Sequence, residues 1–271
     1  MRRIFQLVLA LLLIAGTTAF SPAHSQIYTQ PHAEPPPPAP QKNRHGKPIL
    51  LNTEWLWSYS PSTNTPDGDE NGLIQDPRFM PFLEDNLTAP QSFWGVKGTK
   101  YKPLPDTALD FLSVPGKVVA DDNRYLSITG CVFHFCPSRG LLWVDLNPVS
   151  KAALKSDPDA PDHLVVFAAV DWIRDSKPTS DPTAEYTLWL FPNRAFGLAP
   201  NASDKPEAPN PIPQALVHSL SRFTQRPIPG SAIVENITHA IVVDPDGTPH
   251  QVPIATLGIT PPKQPAGTDN Q

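Results

Sequence analysis

The sequence predicts an α+β domain: an antiparallel sheet of about five or more strands, a few short helices and a protruding loop closed by a disulfide. Three observations lead there. Short runs of β-branched and aromatic residues recur between turn signals. The 36 prolines leave little room for long helices, because each removes a backbone donor and blocks the preceding turn. The two cysteines, Cys131 and Cys136, stand five positions apart between two of the strand-like runs.

The chain opens with Met1-Arg2-Arg3, followed by an apolar stretch over residues 4–14 broken only by Gln6, and then Ala23-His24-Ser25. A basic start, a short apolar run and a small-x-small tripeptide read as a secretory signal peptide over residues 1–25, too short to be taken first as a membrane span. Export to the periplasm or the exterior is expected, with no stable membrane anchor after cleavage. Removing 25 of the 271 residues leaves 246; the segment holds two arginines and no acid, so the formal charge moves from −5 to −7. An acidic chain disfavours nucleic acid and favours a basic protein partner through long-range attraction. A homodimer stays open.

Residues 26–47 include Pro35-Pro36-Pro37-Pro38 and Pro40 and read as a proline-rich disordered linker, since they carry too little apolar surface to offset the entropy of ordering. Residues 261–271 read as a disordered tail for the same reason, and residues 201–211 as a surface loop. The domain is expected over residues 48–260.

Within it, residues 124–129 alternate and lead as a strand into the first cysteine, and residues 141–146 leave the second as another. Residues 164–170 are apolar enough for a central strand, and residues 186–191 form a further one. Residues 237–243 and 251–254 flank Asp244-Pro245-Asp246-Gly247, a turn signal that predicts a late hairpin. Residues 213–226 place Leu216, Val217, Leu220 and Phe223 on one helical face, with Pro229-Gly230 as the stop. A short helix is expected near residues 79–86, with Asp76 capping, Pro77 in the first turn and Pro81 keeping it brief or broken.

The stretch Gly130-Cys131-Val132-Phe133-His134-Phe135-Cys136-Pro137 holds both cysteines with one histidine between them. Its spacing excludes the Cys-x-x-Cys redox motif, and in an oxidising compartment the two thiols are expected to pair. No metal site is expected, because His32, His45, His163, His218, His239 and His250 are scattered and supply no second ligand cluster. No cofactor motif is present.

Phe93-Trp94-Gly95-Val96-Lys97-Gly98, then residues 124–130, then Cys131-x-x-His134-x-Cys136 are together similar to the inhibitor of vertebrate lysozyme family, Ivy, over roughly residues 76–146. That resemblance implies an antiparallel sheet whose cystine loop enters the active-site cleft of a c-type lysozyme. His134 would contact the catalytic carboxylates, and Cys131 and Cys136 would form the bridge. The chain departs from the family's Cys-Lys-Pro-His-Asp-Cys loop at Val132 and Phe133, which stand for Lys-Pro, and at Phe135, which stands for Asp.

The expectation is therefore a secreted or periplasmic inhibitor, not an enzyme, whose partner is a c-type lysozyme or similar muramidase. Val132, Phe133 and Phe135 pack beside His134, Gly130 and Pro137 shape the loop's ends, and Arg139 and Asp145 contribute at the rim. An imidazole can donate to the two carboxyls that flank a scissile glycosidic bond. Three other readings compete. The loop is a structural staple; or Asp106, Asp110, Asp121, Asp122, Asp145 and Asp171 supply a hydrolytic carboxylate pair; or the chain is a cell-envelope or glycan-binding protein. That last reading uses Trp55-Leu-Trp-Ser-Tyr59, whose alternation would put three aromatics on one face of a strand. Asn86-Leu-Thr88, Asn201-Ala-Ser203 and Asn236-Ile-Thr238 match glycosylation sequons that arise readily by chance.

Overall fold

A computed structural model describes residues 41–42, 48–49, 53–95, 99–147, 163–198 and 211–260. The segment expected to be a signal peptide, most of the expected linker with His32 and His45, Val96 to Gly98 of the tryptophan segment, residues 201–210 with their sequon and the expected C-terminal tail lie outside the described residues. A two-residue antiparallel pairing of Gln41–Lys42 with Pro48–Ile49 precedes the domain.

Among the described residues a seven-stranded sheet runs in sequence order: β1 (Val114–Asp121), β2 (Tyr125–Val132), β3 (Phe135–Asp145), β4 (Leu164–Trp172), β5 (Glu185–Pro192), β6 (Asn236–Val243) and β7 (Pro249–Gln251). Neighbours are antiparallel except β5 and β6. Those two are parallel because a helix, α4 (Gln214–Thr224), carries the chain back between them. The expected α+β architecture is thus present, with one parallel pairing the sequence reading did not contain.

β4 occupies the middle of the sheet, and its first seven residues are buried on both faces, as an apolar run of that length requires. β1 was not anticipated, because Pro115 and Gly116 interrupt any alternation. It survives as an edge strand, where a missing donor faces no partner.

Both sheet faces are covered. Leu126, Ile128, Leu142, Val144, Val165, Phe167 and Phe191 point to one side. There they meet the 3-10 helix Thr53–Tyr59 and the short helices α1 (Glu70–Gln75), α2 (Phe79–Asn86) and α3 (Leu104–Phe111). Trp143, Val166, Ala168, Tyr186, Leu188 and Val242 point to the other side, where Leu216, Leu220 and Phe223 of α4 and the 3-10 helix Ile254–Leu257 close a second core. At about 25 cal/mol per Å² of apolar surface, these two layers supply most of what holds the sheet.

Local chemistry explains the boundaries. α2 keeps Pro81 because it falls in the first turn, whose amides have no intrahelical acceptor. Asp76 closes α1, and its Oδ1 accepts the Arg78 N–H at 2.8 Å just before α2 begins. α4 ends at Thr224, ahead of the expected Pro-Gly stop. The late hairpin forms around the predicted turn, but β7 occupies Pro249–Gln251, not residues 251–254. Pro253 cannot donate to the ladder and instead opens the 3-10 helix Ile254–Leu257, which Gly258 terminates at φ 70°.

No described helix is long and apolar enough to cross a membrane.

Candidate functional site

The strands flanking the cysteines form one long hairpin. β2 and β3 pair from Tyr125 opposite Asp145 up to Cys131 opposite Arg139, and then the register shifts so that Val132 faces Phe135. Phe133 and His134 are left as a two-residue turn, while Cys136, Pro137 and Ser138 bulge out of β3. The bulge brings Cys136 within 4.8 Å of Cys131, Cα to Cα, and the two are joined by a disulfide. The closed loop was expected from the oxidising compartment and the family resemblance; its collapse into a tight turn plus a bulge was not legible.

Phe133 and His134 are both exposed. Phe133, at 64 %, is the exposed large hydrophobic side chain of the described residues, and its ring lies 3.8 Å, centroid to centroid, from the His134 imidazole. His134 has φ 62°, a left-handed conformation that side chains other than glycine rarely adopt. The tip is tethered from outside the hairpin. The Phe133 N–H donates to Ser113 Oγ at 3.0 Å, in the α3–β1 junction, and Ser113 Oγ is 2.7 Å from the Asp110 carbonyl. Sequence reasoning missed Ser113, because nothing local marks a contact twenty positions away.

Below the tip the hairpin narrows to two glycines, Gly130 opposite Gly140. A β-carbon on Gly130 would lie 2.8 Å from Leu112 Cα and 2.9 Å from Glu70 Oε1; one on Gly140 would lie 2.9 Å from Phe111 Cβ. Only glycine lets the end of α3 cross the hairpin so closely. Glu70 is itself buried there, accepts the Gly116 N–H, and leaves Oε1 without a partner. Burial pushes its carboxyl up to about 9, against the opposing bond from Gly116.

The remaining expected site residues are set back. Val132 is half-buried against the first core and Pro137 half-buried in the bulge. Phe135 turns toward Trp172, with ring centroids 6.3 Å apart, and so does not share the tip. Arg139 and Asp145 are not at the rim. Arg139 is on the face of the second core, buried, paired with Glu235 and stacked 4.9 Å over Phe223. Burial raises the Glu235 carboxyl while Arg139 pulls it down. Asp145 sits at the opposite end of the hairpin, held bidentately by Arg124 at 2.8 and 2.7 Å.

Three more of the candidate acids have separate partners. Asp121 takes both arms of Arg222, Asp110 takes Lys102 at 2.7 Å, and Asp171 accepts Ser138 Oγ at 2.7 Å. Among the described residues no group of three or more His, Cys, Asp or Glu is placed to hold a metal ion. Asn86 is buried, donating to Phe82 O and accepting from Asn193, so its sequon is closed in the folded chain.

The aromatic run Trp55 to Tyr59 is not a strand, which corrects the basis of the glycan-binding reading there. It winds into a 3-10 helix that sends its rings in different directions. Trp55 lies edge-on to Tyr59 and Phe82, each at 6.2 Å, under Arg78 at 4.6 Å, and Tyr59 donates to Asp76 Oδ2 at 2.6 Å. Trp55, Trp57 and Tyr59 are each partly buried against the first core.

No family model, curated protein or solved structure matches this chain.

Proposed function

We propose that this chain is an exported inhibitor of a c-type lysozyme or similar muramidase, and that it inserts the Phe133–His134 tip of its cystine hairpin into the enzyme's cleft. The observation that carries the reading is the pairing of an exposed phenyl ring and an imidazole on one tight turn, held by a disulfide on one side and by Ser113 on the other. A structural staple needs the disulfide, but it does not need its largest apolar side chain in water.

The mechanism is occlusion. His134 donates to one or both carboxyls that flank the scissile bond, more strongly when protonated by their proximity. Phe133 loses its water against the walls of a sugar subsite, worth about 2 kcal/mol for full burial of a ring. Because the turn is ordered before contact, little conformational entropy is lost on association. The acidic chain, −5 as encoded, is drawn toward a basic enzyme. Phe135 plays no part at the tip; its ring faces the flank.

Titrating a c-type lysozyme's cell-wall activity with the exported form tests this. Stoichiometric loss of activity is expected, and a reduced and alkylated sample should inhibit at least about tenfold more weakly, since the turn must then be ordered on binding. Full enzyme activity at excess intact protein sinks the proposal.

A further inference from the structure

Beside the hairpin lies a groove of about 310 Å³ lined by Trp94, Phe135, Asp171, Trp172 and Arg174. Three separate parts of the chain meet there. Phe135 opens β3, Asp171 and Trp172 close β4, Arg174 follows in the next turn, and Trp94 comes from the connection between α2 and α3.

Its aromatic walls are held in place from behind. Trp94 rests edge-on against the buried Phe111 at 4.8 Å, and its backbone N–H donates to Gln91 Oε1 at 3.0 Å. The Trp172 indole donates to the Lys177 carbonyl at 2.9 Å, which fixes the plane of the ring. Phe135 tilts toward Trp172 across 6.3 Å. Between them Asp171 accepts a hydrogen bond from the buried Ser138 Oγ and interacts electrostatically with Arg174, which is exposed and forms no salt bridge within 4 Å among the described residues.

This combination selects among ligand classes. A wholly apolar ligand would strip water from a carboxylate and a guanidinium without replacing it. An extended peptide has no free strand edge to join, since β3 and β4 are both paired on each side. A pyranose fits: its C–H face stacks on an indole, and its hydroxyls or acetamido N–H donate to a carboxylate. The exposed Arg174 guanidinium, with no direct salt bridge, then matches a carboxylate on the ligand, which it can hold bidentately.

We propose that this groove binds an acidic saccharide, a carboxylate-bearing amino sugar of disaccharide size, stacked on Trp172 and Trp94, with Asp171 accepting from its polar hydrogens and Arg174 pairing with its acid. The site is separate from the turn formed by Phe133 and His134, and the saccharide is bound with no enzyme present.

Calorimetric titration of the exported chain with the disaccharide of N-acetylglucosamine and N-acetylmuramic acid, beside neutral di-N-acetylchitobiose, tests it. The acidic disaccharide should bind at least about tenfold more tightly than the neutral one, and Arg174→Ala should erase that difference. Asp171→Asn should weaken both. Trp172→Ala should abolish both, with unchanged circular dichroism showing that the fold persists. No heat with either sugar at millimolar concentration overturns the proposal, as does equal affinity for the two sugars in the intact chain, or binding that Arg174→Ala and Asp171→Asn leave unaltered. Because no lysozyme is in the cell, failure here is distinct from failure of inhibition.

Discussion

At residue scale, His134 carries two loads that a substitution can separate. Its left-handed backbone disfavours any β-carbon by roughly 1–2 kcal/mol, whereas glycine is at ease there. His134→Gly should therefore hold the unfolding free energy or raise it by up to about 1 kcal/mol, read from the urea midpoint at constant slope, while inhibition collapses. Phe133→Ser should leave the midpoint nearly unmoved, since an exposed ring contributes little to the fold, and should weaken inhibition by about tenfold or more. Glu70 acts in the opposite way, entirely on the fold. Its folded-state carboxyl is raised from an ordinary 4.5 to about 9, so across that window the native state keeps a proton that the unfolded chain releases. Stability should fall as pH rises from about 5 to about 9, and Glu70→Gln should flatten the slope of thermal midpoint against pH. A slope that steepens in the variant would contradict this. Neither Glu70 nor Ser113 was legible as part of the site, because each reaches the hairpin across a long separation in sequence.

The hairpin is the element on which the account turns, and the cysteine spacing made it visible early. Two strand-like runs ending at Cys131 and resuming after Cys136 leave few other arrangements. What spacing could not convey was the bulge at Cys136 to Ser138, which turns Phe135 sideways, or the face of Arg139, which a shift of one residue would have reversed. Replacing both cysteines by serine should lower stability by about 2 kcal/mol on the loop-entropy relation, read as a shift in denaturant midpoint at constant slope. Arg139→Ala should do more damage, about 3–5 kcal/mol, because it leaves the Glu235 carboxyl buried in the second core without its partner. A change below about 1 kcal/mol would mean that Glu235 is satisfied by other means.

For the whole molecule, the alternating and apolar runs were enough to anticipate β2 to β6, and the amphipathic pattern over residues 213–226 sufficed for α4. Pieces built against local preference escaped: β1 with its Pro-Gly pair, α3 opening on Leu104-Pro105, and the aromatic run at Trp55 that prefers a 3-10 helix once its rings have a core to pack on. Covering the sheet on both faces is what makes the hairpin a rigid platform, since α3 crosses its base at Gly130 and Gly140 and α4 backs the other side. Acid should also unsettle this platform. Arg78 holds Asp76 down to about 2 from an ordinary 3.8, so that stabilisation is complete above about 4 and is lost as pH falls through 2.

The central claim is that the tip, not the sheet, stops the enzyme. Its most direct test is lysozyme inhibition by the intact chain and by His134→Gly, each matched to its own denaturation curve. The account predicts an equally or more stable variant whose inhibition is weaker by at least about tenfold, near 1.4 kcal/mol of binding. A folded variant that inhibits as well as the intact chain would contradict it.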